Sequence, residues 1–458
     1  MRALEQLGAF VAASKHDSIA LRELVRLHVV DTVGAWIAGA HTREGRAIIK
    51  LRSSQRSGGR APLLQDPFVD LMTHCALARL SEIDSIHLTS MVTPGSIVIP
   101  GAYVIAGSIP DLTSELLIDA IIVGCDAITR LGLAINGPTV LFRGVWPTYF
   151  AAPFGIAAVS SRLLKLNERQ TTHALALALT LASPGVGHDN AASTSRWLAI
   201  GNAARNGLSA ALAAQAGFTA DLGLLDGSFL SAIYQITPQP KALTDDLGAR
   251  AMISEVSFKP WCAARQTMAG TQGLLQIIEN GVSVDDIIAI MVEVPPPHLK
   301  MVSHGIVQRD RASHLTSLPY QMAIAARAKD CLFDVQQCRK VVSQSINAFM
   351  AKITVQAGQE LMVEYPRIWP ARVHVTTRSG SQERVVRNVP GDVQFPFDEG
   401  RVTRKFLKFI EPQLGTETAT QLLACSLAAV NDMESVRRLM LQIEGIISSA
   451  SERAAFSS

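Results

Sequence analysis

Over about its first 265 residues the chain keeps returning to apolar residues at the spacing of an α-helix. Ser18 is placed to cap a helix whose apolar positions Leu21, Val25, Val29, Val33 and Ile37 follow that period, ending near Gly39. Pro110 to Ser114 reads as a turn, and Glu115 to Ile135, apolar nearly all round, reads as a central buried helix. Ala151 to Leu164, Glu168 to Ala182 and Ala203 to Ala216 continue the pattern, with Ala and Gly at contact positions where helices can approach closely. A large all-α domain is expected.

The period then changes. Ile287 to Val294 is a β-branched run stopped by three prolines, Lys352 to Ala357 alternates, and Ala371, Val373, Val375 and Thr377 share one strand face that turns at Ser379-Gly380 into Glu383 to Val389. Helical patterns at Tyr320 to Lys329 and Val335 to Phe349 lie between them, and after Pro390 to Pro396 helices return at Arg401 to Ile410, Glu417 to Val430 and Glu434 to Ser448. The simplest architecture returns this tail to the first domain. The expected fold is therefore mainly α: an all-helical domain from residues 1–265 and 396–458, and a smaller α+β lid from 266–395.

Composition excludes several functions. With 458 residues, 48% hydrophobic and 18% charged, the chain has ample core for two or three domains and no disordered character. Its 42 Lys+Arg against 39 Asp+Glu give +3, too even for a protein that tracks nucleic-acid phosphates. No uncharged stretch is long enough to span a membrane, and the N-terminus lacks a secretory pattern, so a cytoplasmic location is expected. Six cysteines are scattered without CxxC or Cys/His spacing, which points to reduced thiols and to no metal site.

Chemistry is expected where polar residues interrupt apolar sequence. Ser81-Glu82-Ile83-Asp84-Ser85-Ile86-His87 precedes Thr93-Pro94, where Thr93 as N-cap and Pro94 as the first helical residue would aim free N–H groups at a carboxylate. The same pattern also fits an ordinary cap with Asp84 and His87 solvated nearby. Arg143-Gly144-Val145-Trp146-Pro147-Thr148 and Gly187-His188-Asp189-Asn190, running to Ser195-Arg196-Trp197, offer cations, donors and an aromatic wall, and equally fit plain loops. Phe258-Lys259-Pro260-Trp261-Cys262-Ala263-Ala264-Arg265 sets a lysine and an arginine at the expected domain junction, where ligand clefts tend to form. Asp126 and Arg130, at i and i+4, read as a structural ion pair.

These four segments, in this order, resemble the MmgE/PrpD family, which includes 2-methylcitrate dehydratase, cis-aconitate decarboxylase and an iminodisuccinate epimerase. Further matching stretches are Leu27 to Gly34, Gly124-Cys125-Asp126, Pro153-Phe154-Gly155, Ala213 to Phe218, Ser317-Leu318-Pro319-Tyr320, Trp369 to Val373 and Pro390-Gly391-Asp392. The resemblance implies a homodimer, a cleft between the helical domain and the lid, small di- or tricarboxylate substrates, and neither metal nor organic cofactor. Residue by residue, it implies Asp84 and His87 as acid-base candidates, with Lys259 and Tyr320 also catalytic. Thr93, Trp146, His188, Arg196 and Arg265 are the residues expected to bind substrate.

Departures from the family pattern are equally informative. Thr93, Trp146, Ala199 and Met268 stand where many members carry histidine. The expected function is a cofactor-independent lyase, of dehydratase or decarboxylase type, that abstracts a proton next to a carboxylate. The alternatives are an isomerase, epimerase or cyclase of the same fold, or a non-catalytic ligand-binding paralogue.

Overall fold

A computed structural model describes residues 1–55, 66–183, 185, 193–337 and 342–455. The chain divides into two units, one from Met1–Asp189, Ser193–Ser257 and Asp398–Ser458, the other from Phe258–Phe397. The fold is mainly α with a small α+β part.

Among the described residues, the regular structure of the first unit is helical apart from two isolated bridges. Ser18 Oγ accepts from the Leu21 N–H at 3.4 Å and opens the helix Ile19–Ala40, whose Val25, Val29, Val33 and Ile37 are buried. Thr113 caps Ser114–Ala134 in the same way, and Asn167 with Gln170 forms a capping box on Glu168–Thr180. Ser114–Ala134 packs on Pro147–Leu163, and Ser195–Gln215 packs on Pro147–Leu163 and Pro67–Leu80. Glycine permits the closest crossings: a Cβ on Gly207 would lie 2.4 Å from the Pro153 carbonyl oxygen, and one on Gly39 would lie 1.9 Å from that of Leu77.

The tail belongs to this unit. Glu399–Leu414 and Thr416–Ala428 pack on Ile19–Ala40, and Met433–Ala455 packs on Arg43–Gln55. Lys405 Nζ donates to buried Asp31 at 2.5 Å and to the Ile83 carbonyl at 2.7 Å.

The second unit carries a four-stranded sheet of order β2-β1-β3-β4, from β1 (Ile287–Val294), β2 (Ile353–Ala357), β3 (Ala371–Thr377) and β4 (Gly380–Val386). β1 runs parallel to β2 and antiparallel to β3, which is antiparallel to β4 with Val373 opposite Arg384. Ile290, Val292, Val373 and Val375 join residues of the helices Arg265–Glu279 and Leu318–Arg327 in one core. The hairpin turns at Arg378-Ser379, so Gly380, with φ of +145°, is already a strand residue.

Three local expectations are corrected. Thr93 does not cap a helix: Gly95–Ala106 begins one residue later, with Pro94 in the cap position, because the Thr93 hydroxyl is taken by Ser96 and Thr148. The helix expected from Ala203 begins at Ser195. Val335 does not start a helix, since Asp334 accepts from the Gln336 N–H at 2.9 Å, Gln337 is left-handed, and the helix is Gln344–Met350 under a Ser343 cap.

Candidate functional site

Three helix N-termini converge in the first unit. The Thr93 N–H donates to Thr148 Oγ1 at 3.1 Å, which ties the start of Gly95–Ala106 to the start of Pro147–Leu163. The Arg196 guanidinium lies 4.9 Å from the Trp146 ring centroid, which joins the start of Ser195–Gln215 to the same point, and Trp197 flanks it at 5.9 Å. Each N-terminus carries the positive end of its helix dipole. Together they form surroundings suited to an anion.

Asp84 is fully buried in the loop that leads into this point. Ser96 Oγ donates to its Oδ2 at 2.8 Å, and Arg79 Nη1 lies 3.3 Å from its Oδ1 and 2.8 Å from Glu82 Oε1. Burial works against the Arg79 charge, but Asp84 and Glu82 hold it ionised. Glu82 and Met91 take left-handed backbone, φ 62° and 56°, in this loop. Strain of that kind in non-glycine residues concentrates at functional sites.

Tyr149 completes the group. Its ring is buried and edge-on to Trp146 at 5.9 Å. Burial pushes the phenol up to about 12, against the pull of Arg79 and Arg196.

His87 is three residues from Asp84 yet belongs to a different network. The bridges Ile86 to Ser257 and His87 to Val92 turn the chain so that His87 Nε2 faces Glu255 Oε2 at 3.3 Å, and Nδ1 faces Ser90 Oγ at 2.9 Å. The Ser90 N–H also donates to Nδ1 at 3.2 Å, so Nδ1 is an acceptor and Nε2 carries the proton toward Glu255. That hydrogen bond from His87 holds the Glu255 carboxyl below its ordinary range.

Lys259, Arg265 and Tyr320 are buried in the second unit. One nitrogen of Arg265, Nη2, meets both Asp392 oxygens at 2.8 and 2.6 Å, and the Trp369 ring centroid is 5.9 Å from the guanidinium carbon. The Tyr320 hydroxyl donates to the Gln337 carbonyl at 3.2 Å, with His314 edge-on at 4.9 Å. Met268 lies in that unit's apolar core, and Ala199 is half-buried on Ser195–Gln215. His188 lies outside the described residues.

The structure links Asp84 to Thr93 through Ser96, Thr93 to the start of Pro147–Leu163, and Trp146 to Arg196, while the His87 ring is engaged by Ser90 and Glu255. Arg79 and Tyr149 were missed from sequence. Arg79 is one ordinary polar residue in a helical pattern, and Tyr149 reads as core. The expected Asp126–Arg130 pair is present at 3.7 Å, with Asp126 also accepting from the Met252 N–H at 2.6 Å.

A second buried cluster has metal-ligand composition: Asp70, His74 and Glu444. Arg52 lies 2.6 Å from Asp70 and 2.7 Å from Glu444, so a cation already bridges the two carboxylates. The Trp36 indole donates to His74 Nδ1 at 3.2 Å, and His74 Nε2 lies 2.9 Å from Glu444. This is a structural ion network. None of the five described cysteines is in a disulfide, and no described helix is long and apolar enough to cross a membrane.

Residues 5–241 match the MmgE/PrpD N-terminal domain and residues 261–428 the MmgE/PrpD C-terminal domain. Two cis-aconitate decarboxylase sequences from Aspergillus terreus, one of strain NIH 2624 / FGSC A1156, are each 31% identical to this chain over 169 residues. That stretch is 36% of this chain and 34% of the relative, so the likeness spans about a third of these curated proteins. Because both family domains are matched in order over most of its length, the chain belongs to the MmgE/PrpD family.

Proposed function

We propose that the protein is a lyase, of dehydratase or decarboxylase type, that acts on a small di- or tricarboxylate by proton abstraction next to a carboxylate. The observation that carries this reading is the convergence of three helix N-termini, one bearing Arg196 on the Trp146 face and one holding the buried Asp84 through Ser96. Removing a proton or a carboxyl group next to a carboxylate builds negative charge, and fixed dipoles and cations lower the cost of that charge most effectively in a dry site. The family, and the cis-aconitate decarboxylases of Aspergillus terreus among its relatives, support the reaction class.

In this reading Asp84 is the base. The Arg79 ion pair and the Ser96 hydrogen bond hold its carboxylate in one orientation. Arg196 and the helix N-termini bind the substrate carboxylates, and the Trp146 face keeps the guanidinium flat while making the wall less polar than an imidazole would. Lys259, Arg265 and Tyr320 are further anion-holding candidates in this reading. The reading requires no organic cofactor.

One observation favours a second reading. Both ring nitrogens of His87 are engaged by Ser90 and Glu255, and Thr93 and Trp146 stand where the family pattern has imidazoles. With fewer imidazoles at hand, an isomerase or epimerase that returns the abstracted proton, or a non-catalytic binder, becomes the alternative.

Deuterium exchange and turnover, followed by NMR across a panel of di- and tricarboxylates that includes cis-aconitate, test these readings. For the lyase, a product appears, and Arg196→Ala and Lys259→Ala each lose about 100-fold in kcat/KM, the effect of removing one well-placed charge donor. Exchange without net product supports the isomerase. Binding without exchange supports the non-catalytic reading.

A further inference from the structure

Tyr149 is a buried, titratable group beside the proposed site that the reading above leaves unused. It sits in the first turn of Pro147–Leu163, 1% exposed, its ring against Trp146. Trp146 in turn carries Arg196 on its face. Four charged groups act on the phenol: Arg79 and Arg196, which favour its anion, and Glu82 and Asp84, which oppose it. Burial outweighs the cations, so the hydroxyl is protonated at neutral pH and is a proton donor at rest.

We propose that Tyr149 is the catalytic proton donor of this site, an assignment that rests on the carboxylate-lyase reading. In a decarboxylation the bond from the substrate carbon to the departing carboxylate breaks, carbon dioxide leaves, and the electron pair stays on that carbon. The Tyr149 O–H bond then breaks, its proton joins the carbon, and the phenolate recovers one proton from solvent. In a dehydration Asp84 takes the proton next to the carboxylate while the carbon–oxygen bond breaks. The Tyr149 proton joins the departing hydroxyl, which leaves as water, and the proton on Asp84 passes back to the phenolate. Neither route needs a further reactant.

The test compares wild type, Tyr149→Phe and Tyr103→Phe with cis-aconitate, citrate, malate and 2-methylcitrate, following turnover and deuterium incorporation. Tyr103 is a buried phenol whose hydroxyl donates to the Ala429 carbonyl at 3.2 Å, outside the site. Tyr149→Phe is expected to keep the wild-type melting temperature and a KM within about twofold, and to lose about 100-fold or more in kcat. Tyr103→Phe keeps its kcat. Replacing Tyr149 with 3,5-difluorotyrosine, a more acidic phenol, is expected to bring a falling alkaline limb of the kcat profile into the measurable range.

Wild-type kcat in Tyr149→Phe overturns the assignment and leaves the lyase reading standing. If Tyr149→Phe does not fold, an alkaline limb that the fluorinated residue fails to move overturns it instead. If the wild type neither turns over nor exchanges any of the four compounds, the lyase reading falls and takes the assignment with it.

Discussion

At the scale of single residues, the site shows how little sequence distance says about chemistry. Asp84 and His87 are one helical turn apart in number, and the sequence pairs them as acid and base. A bridge at Ile86 sends His87 to Ser90 and Glu255, whereas Asp84 turns to Arg79 and Ser96. Trp146 and Arg196, 50 positions apart, meet ring to guanidinium. Their contact yields a prediction: Trp146→Leu keeps most of the bulk and loses the π face, worth about 0.5–2 kcal/mol. The KM for the carboxylate substrate is expected to rise by about 2- to 30-fold with kcat changed less, and steady-state kinetics on the two proteins decide it. An unchanged KM would mean that the ring does not orient Arg196.

At the scale of elements, sequence periodicity located the strands and most helices because each signal is local, as where Ser18 caps Ile19–Ala40 by accepting from the third N–H beyond; Thr113 and Asn167 cap in the same way, as the structure shows. β1 was legible to the residue, since a β-branched run between a turn and prolines has few other readings. The Thr93 cap failed because a threonine before proline satisfies the same pattern whether or not its hydroxyl is already committed, and here it is committed to Ser96 and Thr148. Helix crossings were foreseen only as a tolerance for Ala and Gly, and the structure shows which glycine matters. Gly207→Ala sets a methyl 2.4 Å from the Pro153 carbonyl oxygen, a backbone atom that cannot rotate away. Overpacking of this kind costs about 1–3 kcal/mol. A lower denaturant midpoint at unchanged slope is the expected outcome, and Gly217→Ala, where a Cβ meets nothing, tests by contrast the backbone cost of φ +97° alone.

At the scale of the whole molecule, the helical unit is closed by its own C-terminal segment. Lys405 with Asp31 and Arg52 with Glu444 are buried ion pairs that link the tail to the first helices. Breaking one partner of such a pair leaves the other charge uncompensated and costs about 3–5 kcal/mol. Glu444 also carries a pH signature. Burial alone would raise its carboxyl, yet His74 and Arg52 hold it well below the usual carboxylate range. Its folded value is thus lower than its unfolded one, so its stabilisation is complete above about pH 4.5 and is lost as the pH falls through the folded value. Glu444→Gln is therefore expected to melt several degrees lower than wild type at pH 7, with the gap closing as the pH is taken from about 5 toward 2. Parallel melting curves across that range would place the stabilisation elsewhere.

By itself the sequence determined the helical body, the small α+β part and the segments in which polar residues interrupt apolar ones, because periodicity, capping and turn chemistry are properties of short stretches. It also marked the segments that hold Asp84, Thr93, Trp146 and Arg196, while the roles of single residues came from the family resemblance. Only the tertiary structure decided which partners these residues meet: Ser96 and Arg79 for Asp84, Thr148 for Thr93, Arg196 and Tyr149 for Trp146, and Ser90 and Glu255 for His87. The physical reason is that a site is defined by which helix ends meet. That depends on packing between elements far apart in the chain, where a buried tyrosine against Trp146 and a buried tyrosine in a core are written with the same letter.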